Sequence, residues 1–150
     1  MYLCTNFYLE NSMIYLTRIE RFNAAHKLYN PNWSEEQNKE IFGKCSNKNW
    51  HGHNYELHVT VKGKPSPDTG FVYNAKTLGD ITKRVIIDVV DHSNLNIDVP
   101  FMVGKLTSVE NLAIAIWNEL KPHVETEDVQ LHCIKLHETA TIYTEYYGEE

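Results

Sequence analysis

An α+β fold, with an antiparallel sheet carrying helices on one face, follows from three observations. Residues 14–22 (IYLTRIERF) and 55–62 alternate apolar and polar positions and are rich in β-branched and aromatic side chains, the period-two signature of half-buried strands. Leu78, Ile81, Val85, Ile86 and Val89 recur at helical spacing, as do Val109, Leu112, Ala113, Ile116 and Leu120. The resulting order β, β, β, α, α, β, β groups strands with strands and helices with helices, whereas a parallel sheet would alternate them.

Each element has a local reason. The first strand closes before the Asn30-Pro31 turn, and Ser34 with Gln37 three residues later forms a capping-box pattern. A short helix is therefore expected over 34–42, stopped by Gly43. After the polar stretch KCSNKNWHGHN, the second strand puts Tyr55, Leu57, Val59 and Val61 on one face. The turn-rich GKPSPDTG at 63–70 is expected to connect to a short strand at 71–73. Helices are predicted over 75–90 and 108–120, with Glu110 three residues after Thr107 in a second capping-box pattern. Strands over 129–136 and 141–147 complete the chain. Residues 1–12 read as a polar N-terminal extension without a functional role, and 13–150 as one domain.

Composition removes several function classes. Fourteen Lys plus Arg against 20 Asp plus Glu give a net charge of −6, the wrong sign for a sequence-independent nucleic-acid binder. No run reaches the about 18 apolar residues of a membrane span. The first residues lack a basic region followed by a long apolar one, so no signal peptide is read there. Cys4, Cys45 and Cys133 are odd in number and widely spaced, which suits a reducing cytoplasm better than a disulfide framework. Eight histidines in so small a chain are the oddity that remains.

The chemistry concentrates in the middle of the chain. His51 and His53 flank Gly52, and in an extended chain residues two apart share a face. With His26 from FNAAHKL they would supply three imidazoles and leave a coordination position open, a catalytic zinc pattern. An isolated H-x-H is more often a pair of surface polar residues on an edge strand, so spacing alone makes zinc only a candidate. Cys45, near Lys44 and Lys48, is a candidate thiolate, the alternative being a small buried apolar residue. Cys133, between Leu131 and Ile134 in a strand pattern, reads as structural. In Asp91-His92 a carboxylate can fix the tautomer of the neighbouring imidazole, unless the pair is only a polar helix exit. Glu110 and Glu138 are acids able to accept paired N–H donors, or ordinary solvated carboxylates.

Taken together, FNAAHKL (22–28), FGKCSNKNWHGHNY (42–55), DTGFVYN (68–74), VDHSNLN (90–96), TSVENLAIAIW (107–117) and HETAT (137–141) resemble the 6-pyruvoyl-tetrahydropterin synthase family. The resemblance implies a tunnelling fold: a four-stranded antiparallel sheet with two helices on one face, closed into a barrel by three subunits and stacked into a homohexamer. It implies conversion of 7,8-dihydroneopterin triphosphate to 6-pyruvoyl-tetrahydropterin with elimination of triphosphate. His26, His51 and His53 would hold one zinc per subunit, with magnesium a further expectation for the triphosphate. Cys45 would be the general base, and Asp91 with His92 a proton relay from a neighbouring subunit. Glu138 would anchor the pterin ring, assisted by Glu110, Thr107 and Ser108. The related 6-carboxy-tetrahydropterin synthases typically carry the cysteine four positions before HGH; here the gap is six, although HETAT is closer to the carboxy type. A zinc- and pterin-binding protein without catalysis is the reading from another class.

Overall fold

The computed structural model describes residues 12–149, so all of the expected extension except Ser12 lies outside the described residues. Strand β1 (Ile14–His26) and strand β2 (His51–Gly63) are each 13 residues long and pair antiparallel over their whole length, from Ile14 opposite Gly63 to His26 opposite His51. Both run beyond the residues whose alternation announced them. His26, expected just past the first strand, is its last residue.

Between them lie helix α1 (Glu35–Phe42) and a 3₁₀ turn (Gly43–Ser46). The expected capping box is present: Ser34 Oγ accepts from the Gln37 N–H and Gln37 Oε1 accepts from the Ser34 N–H. Buried Asn38 fastens the preceding loop, accepting from the Asn30 N–H at 2.7 Å and donating to the Asn30 carbonyl at 2.9 Å.

Residues 71–73 do not form the expected strand. The Ser66 N–H donates to the Phe71 carbonyl and the Gly70 N–H to the Ser66 carbonyl, closing the loop on itself. Asn74 then caps the next helix by accepting from the N–H groups of Lys76 and Thr77. Val72 and Tyr73 instead pack against the core from the loop, and the cap at Asn74 turns the chain straight into the helix. The helix expected over 75–90 is found as α2 (Ala75–Thr82), a π turn (Lys83–Ile87) and α3 (Asp88–Val90). The Thr82 hydroxyl donates to the Leu78 carbonyl at 2.8 Å just where the ladder loosens.

A two-residue strand, β3 (Ser93–Asn94), then joins the outer edge of β1 in parallel. Helix α4 (Val109–Val124) extends four residues beyond its expected end and takes Pro122 into its last turn. Its N-cap is Ser108, whose hydroxyl accepts from the Asn111 N–H; the expected Thr107–Glu110 box does not form, because Thr107 is turned into the interior. Strands β4 (Val129–Thr139) and β5 (Ile142–Tyr146) complete a sheet of order β3-β1-β2-β4-β5. The four long strands are antiparallel, as expected. The sheet as a whole is five-stranded and mixed, because Ser93–Asn94, polar and too short to show a period, adds itself to β1.

One face of the sheet forms the core with α2, α3 and α4. Phe22, Tyr55, Leu57, Val59, Ile134 and Leu136 meet Ile86, Leu112, Ile116 and Leu120, all nearly or wholly without solvent exposure. A fully buried Leu or Ile contributes about 1.5–3 kcal/mol. No helix among the described residues is long and apolar enough to cross a membrane. The β1–β2 register matters most for function, because it sets His26 beside His51 and Ala24 beside His53.

Candidate functional site

At one end of the β1–β2 pair the alternation changes from apolar residues to histidines without changing face. Along β2 the side that buries Leu57 and Tyr55 continues to His53 and His51, and along β1 the Phe22–Ala24 side continues to His26. The three rings gather with centroids 4.5 Å apart for His26–His51, 5.1 Å for His26–His53 and 5.0 Å for His51–His53. One ligand atom from each lies within 4.8 Å of the others. Gly52 makes the close strand approach possible, since a Cβ there would stand 3.1 Å from the Ala24 carbonyl oxygen. Gly52→Ala is therefore expected to cost about 1–3 kcal/mol of stability, read from chemical denaturation, and to weaken metal binding by spreading the strands.

His26 is 1% exposed. Its Nδ1 donates to the Thr107 carbonyl at 2.8 Å, which fixes the tautomer and leaves the Nε2 lone pair facing the cluster. That Nε2 has no hydrogen-bond partner, nor has either ring nitrogen of His51. Burial, with the neighbouring histidines adding to it against the Thr107 bond, pushes the His26 pKa down to about 4; burial also lowers that of His51. Buried neutral imidazoles whose lone pairs meet nothing in the chain suit a soft-to-borderline divalent cation, so the residues fit zinc.

Without metal, His26 makes stability pH-dependent. The unfolded chain takes up the proton near pH 6.5, the folded one only near 4, so its contribution is complete above 6.5 and is lost as pH falls towards 4. Denaturant titrations of metal-free protein should lose about 3 kcal/mol across that window, and His26→Gln should flatten the slope.

Glu138 lies in β4, at a bulge between His137 and Thr139, where sequence alone leaves it between strands. One of its oxygens is 3.4 Å from His26 Nε2 and 3.7 Å from His53 Nε2. With His26 held neutral, that approach is not an ion pair. Burial raises the Glu138 pKa, opposed by His53 and reinforced by Glu110. Tyr55, absent from the sequence-derived candidates because it reads as a core strand residue, lies beside the trio. It stacks on Phe22 at 4.8 Å, faces the His53 ring at 5.8 Å, and its buried hydroxyl is unpartnered. Burial and the charges of Glu138 and Cys45 keep that phenol protonated.

Cys45 is a free, half-buried thiol in the 3₁₀ turn, within electrostatic reach of Tyr55; its carbonyl accepts from the Leu28 N–H at 2.9 Å, tying the turn to the chain just past His26. Cys133 is free and buried in β4. Thr107 is wholly buried, its hydroxyl bonded to the Lys27 carbonyl and Asn96. Its contact with the site is the carbonyl that holds His26. Ser108 caps α4, and Glu110 is exposed in the first turn of that helix.

Asp91 and His92 stand apart. Asp91 divides its carboxylate, accepting from the Asn23 N–H at 2.8 Å with one oxygen and from His92 Nδ1 at 2.9 Å with the other. The Asn23 bond first, then His92, lower the Asp91 pKa. His92 adopts a left-handed backbone (φ 58°), held by its N–H donating to the Asn23 carbonyl, and its side chain is 82% exposed. Within one chain the pair is thus formed but turned outward.

The sequence profile of the 6-pyruvoyl tetrahydropterin synthase family matches residues 15–149. The chain belongs to that family. It is similar to the 6-pyruvoyl tetrahydrobiopterin synthase of Dictyostelium discoideum (42% identity; 91% of this chain, 97% of the relative) and to that of Poecilia reticulata (40%; 90% of each). It is also similar to the 6-carboxy-5,6,7,8-tetrahydropterin synthase of Haemophilus influenzae, at 31% over 69% of this chain and 84% of the relative. Among solved structures, Caenorhabditis elegans 6-pyruvoyl tetrahydropterin synthase superimposes with a TM-score of 0.86 at 36% identity, covering 92% of this chain and 97% of that one. For this member of the 6-pyruvoyl tetrahydropterin synthase family, the histidine trio and Glu138 therefore lie within the shared fold and not in an appended segment.

Proposed function

We propose that the chain is a zinc-dependent lyase that converts 7,8-dihydroneopterin triphosphate to 6-pyruvoyl-tetrahydropterin and releases triphosphate. The observation that carries this reading is the trio of buried His26 with half-buried His51 and His53, in which His26 Nε2 and both His51 ring nitrogens are unclaimed by the chain and Glu138 lies alongside. Family membership supports the substrate class. Similarity at 40–42% to pyruvoyl enzymes, against 31% to a carboxy enzyme, supports the product.

His26, His51 and His53 hold the zinc, which when bound supplies Lewis acidity towards the hydroxyls of the substrate side chain. Cys45, as thiolate, removes the carbon-bound proton. Glu138 accepts the ring and amino N–H donors of the pterin, with Glu110 nearby and Ser108 at the helix start. Thr107 positions His26 through its carbonyl. The tautomerisation that follows is an internal redox with no external oxidant, and it ends in loss of triphosphate. Lys27 and Lys48 border one cavity of about 580 Å³ and offer cations to the phosphates; magnesium would accompany them. The outward-facing Asp91–His92 pair serves the site of a neighbouring subunit, its carboxylate setting the imidazole tautomer and its exposed ring exchanging the proton. That requires assembly into a barrel of three subunits and a homohexamer of two barrels; a monomer on sizing at micromolar concentration would contradict it.

Mass spectrometry of the product made from 7,8-dihydroneopterin triphosphate tests the reaction. The pyruvoyl product with triphosphate is expected. The carboxy product with acetaldehyde would move the chain to the carboxy branch.

A further inference from the structure

Two of the four histidines that this site leaves unused, His58 and His137, lie on the opposite face of the sheet, away from the helices. We propose that Glu56, His58 and His137 form a second binding site for a divalent transition metal. The strand geometry assembles it rigidly. Glu56 and His58 are two apart on β2 and share a face, and Glu56 stands directly opposite His137 on β4. One ligand atom from each lies within 4.8 Å of the other two, the same separation that bounds the trio on the other face.

Neighbouring side chains orient the three donors as supporting groups do in metal sites. Arg21, opposite Glu56 on β1, holds one carboxylate oxygen, with Nη2 at 2.6 Å and Nε at 2.8 Å. The other oxygen accepts from His58 Nε2 at 2.8 Å, a bond that a shared metal ion would replace. The His137 ring lies between the His58 ring, 5.3 Å away, and the Tyr143 ring, 4.8 Å away. All three donors are half-buried, so they are not free solvated side chains.

Zinc bonds of about 2.0–2.2 Å to nitrogen and oxygen place tetrahedral donors about 3.3 Å apart, reachable here by small side-chain rotations. Two imidazoles and one carboxylate select zinc or its neighbours over magnesium or calcium, and leave a position for water. The Arg21 charge offsets that of Glu56, and Lys135 beside them is paired with Glu145 at 3.2 Å, so no unbalanced cation repels the metal.

Zinc alone, titrated into chelator-stripped full-length protein against a chromophoric competitor, tests this. Two equivalents are expected for the parent chain, one for the His58→Ala/His137→Ala variant and one for His51→Ala. Turnover of the His58→Ala/His137→Ala variant should stay within about twofold of the parent, since neither residue touches the trio. If that variant binds as many equivalents as the parent, the second site is refuted, whatever the trio does. If the parent binds one equivalent that survives in His51→Ala and vanishes in His58→Ala/His137→Ala, the second site stands and the trio reading fails. Should the double alanine variant lose its far-ultraviolet signature, His58→Gln with His137→Gln, which keeps side-chain size, takes its place under the same criteria.

Discussion

Cys45→Ala is expected to slow triphosphate release by about a hundredfold to ten-thousandfold, the usual contribution of a positioned proton-transfer group. Zinc content and pterin binding should stay at parent levels. The thiol is not among the clustered ligand atoms, and the backbone bond from Leu28 to the Cys45 carbonyl does not depend on the side chain. Rapid-quench measurement of triphosphate, alongside metal analysis, reads both quantities. Turnover at the parent rate would reject Cys45 as the base. A parent chain that holds zinc and pterin yet releases no triphosphate would instead place the protein among binders.

His51→Ala should remove the zinc held by the trio and with it turnover, by about a thousandfold or more if the metal supplies several kcal/mol to the transition state. Both ring nitrogens of His51 lack partners in the chain, so its removal breaks no hydrogen bond and relieves two buried unpaired polar atoms, and the metal-free variant should unfold close to the denaturant concentration of metal-free parent. His26→Ala should differ. It loses the same metal and also the bond to the Thr107 carbonyl, in a position that is 1% exposed, and so should be destabilised by about 2 kcal/mol or more. Equal stability of the two metal-free variants would mean that His26 is not the anchored member of the trio.

Legibility followed the strength of the local signal. The capping box at Ser34 and Gln37 was readable because both partners are three residues apart. The expected strand at 71–73 is absent because a three-residue apolar run between Gly70 and Asn74 has no period to test, and capping by Asn74 claims its end. The helix start at 107–110 was misread by one residue for a tertiary reason: Thr107 is drawn inward to Lys27, Asn96 and His26, leaving the cap to Ser108. Tyr55 carries no sequence signal of its own, because an aromatic residue in a strand pattern looks like ordinary core. Its unpaired hydroxyl is visible only once Glu138 and Cys45 are seen near it.

By itself the sequence determined which residues are candidates for the proposed chemistry. The types and short spacings that matter, Cys45 with His51-Gly52-His53 and Asp91 with His92, are local, and local spacing is preserved when a chain is read as a string. Only the tertiary structure decided which of them meet. Pairing β1 with β2 in one register sets His26 beside His51, although 25 positions separate them in the chain, and a slip by one residue would turn the histidines to the other face. The bulge near Thr139 brings Glu138 to the trio, while the left-handed turn at His92 points the Asp91–His92 pair away from it. Contacts across strands depend on register and pleat, which a linear spacing does not encode. For the same reason Glu56, His58 and His137, unremarkable as a string, become one cluster.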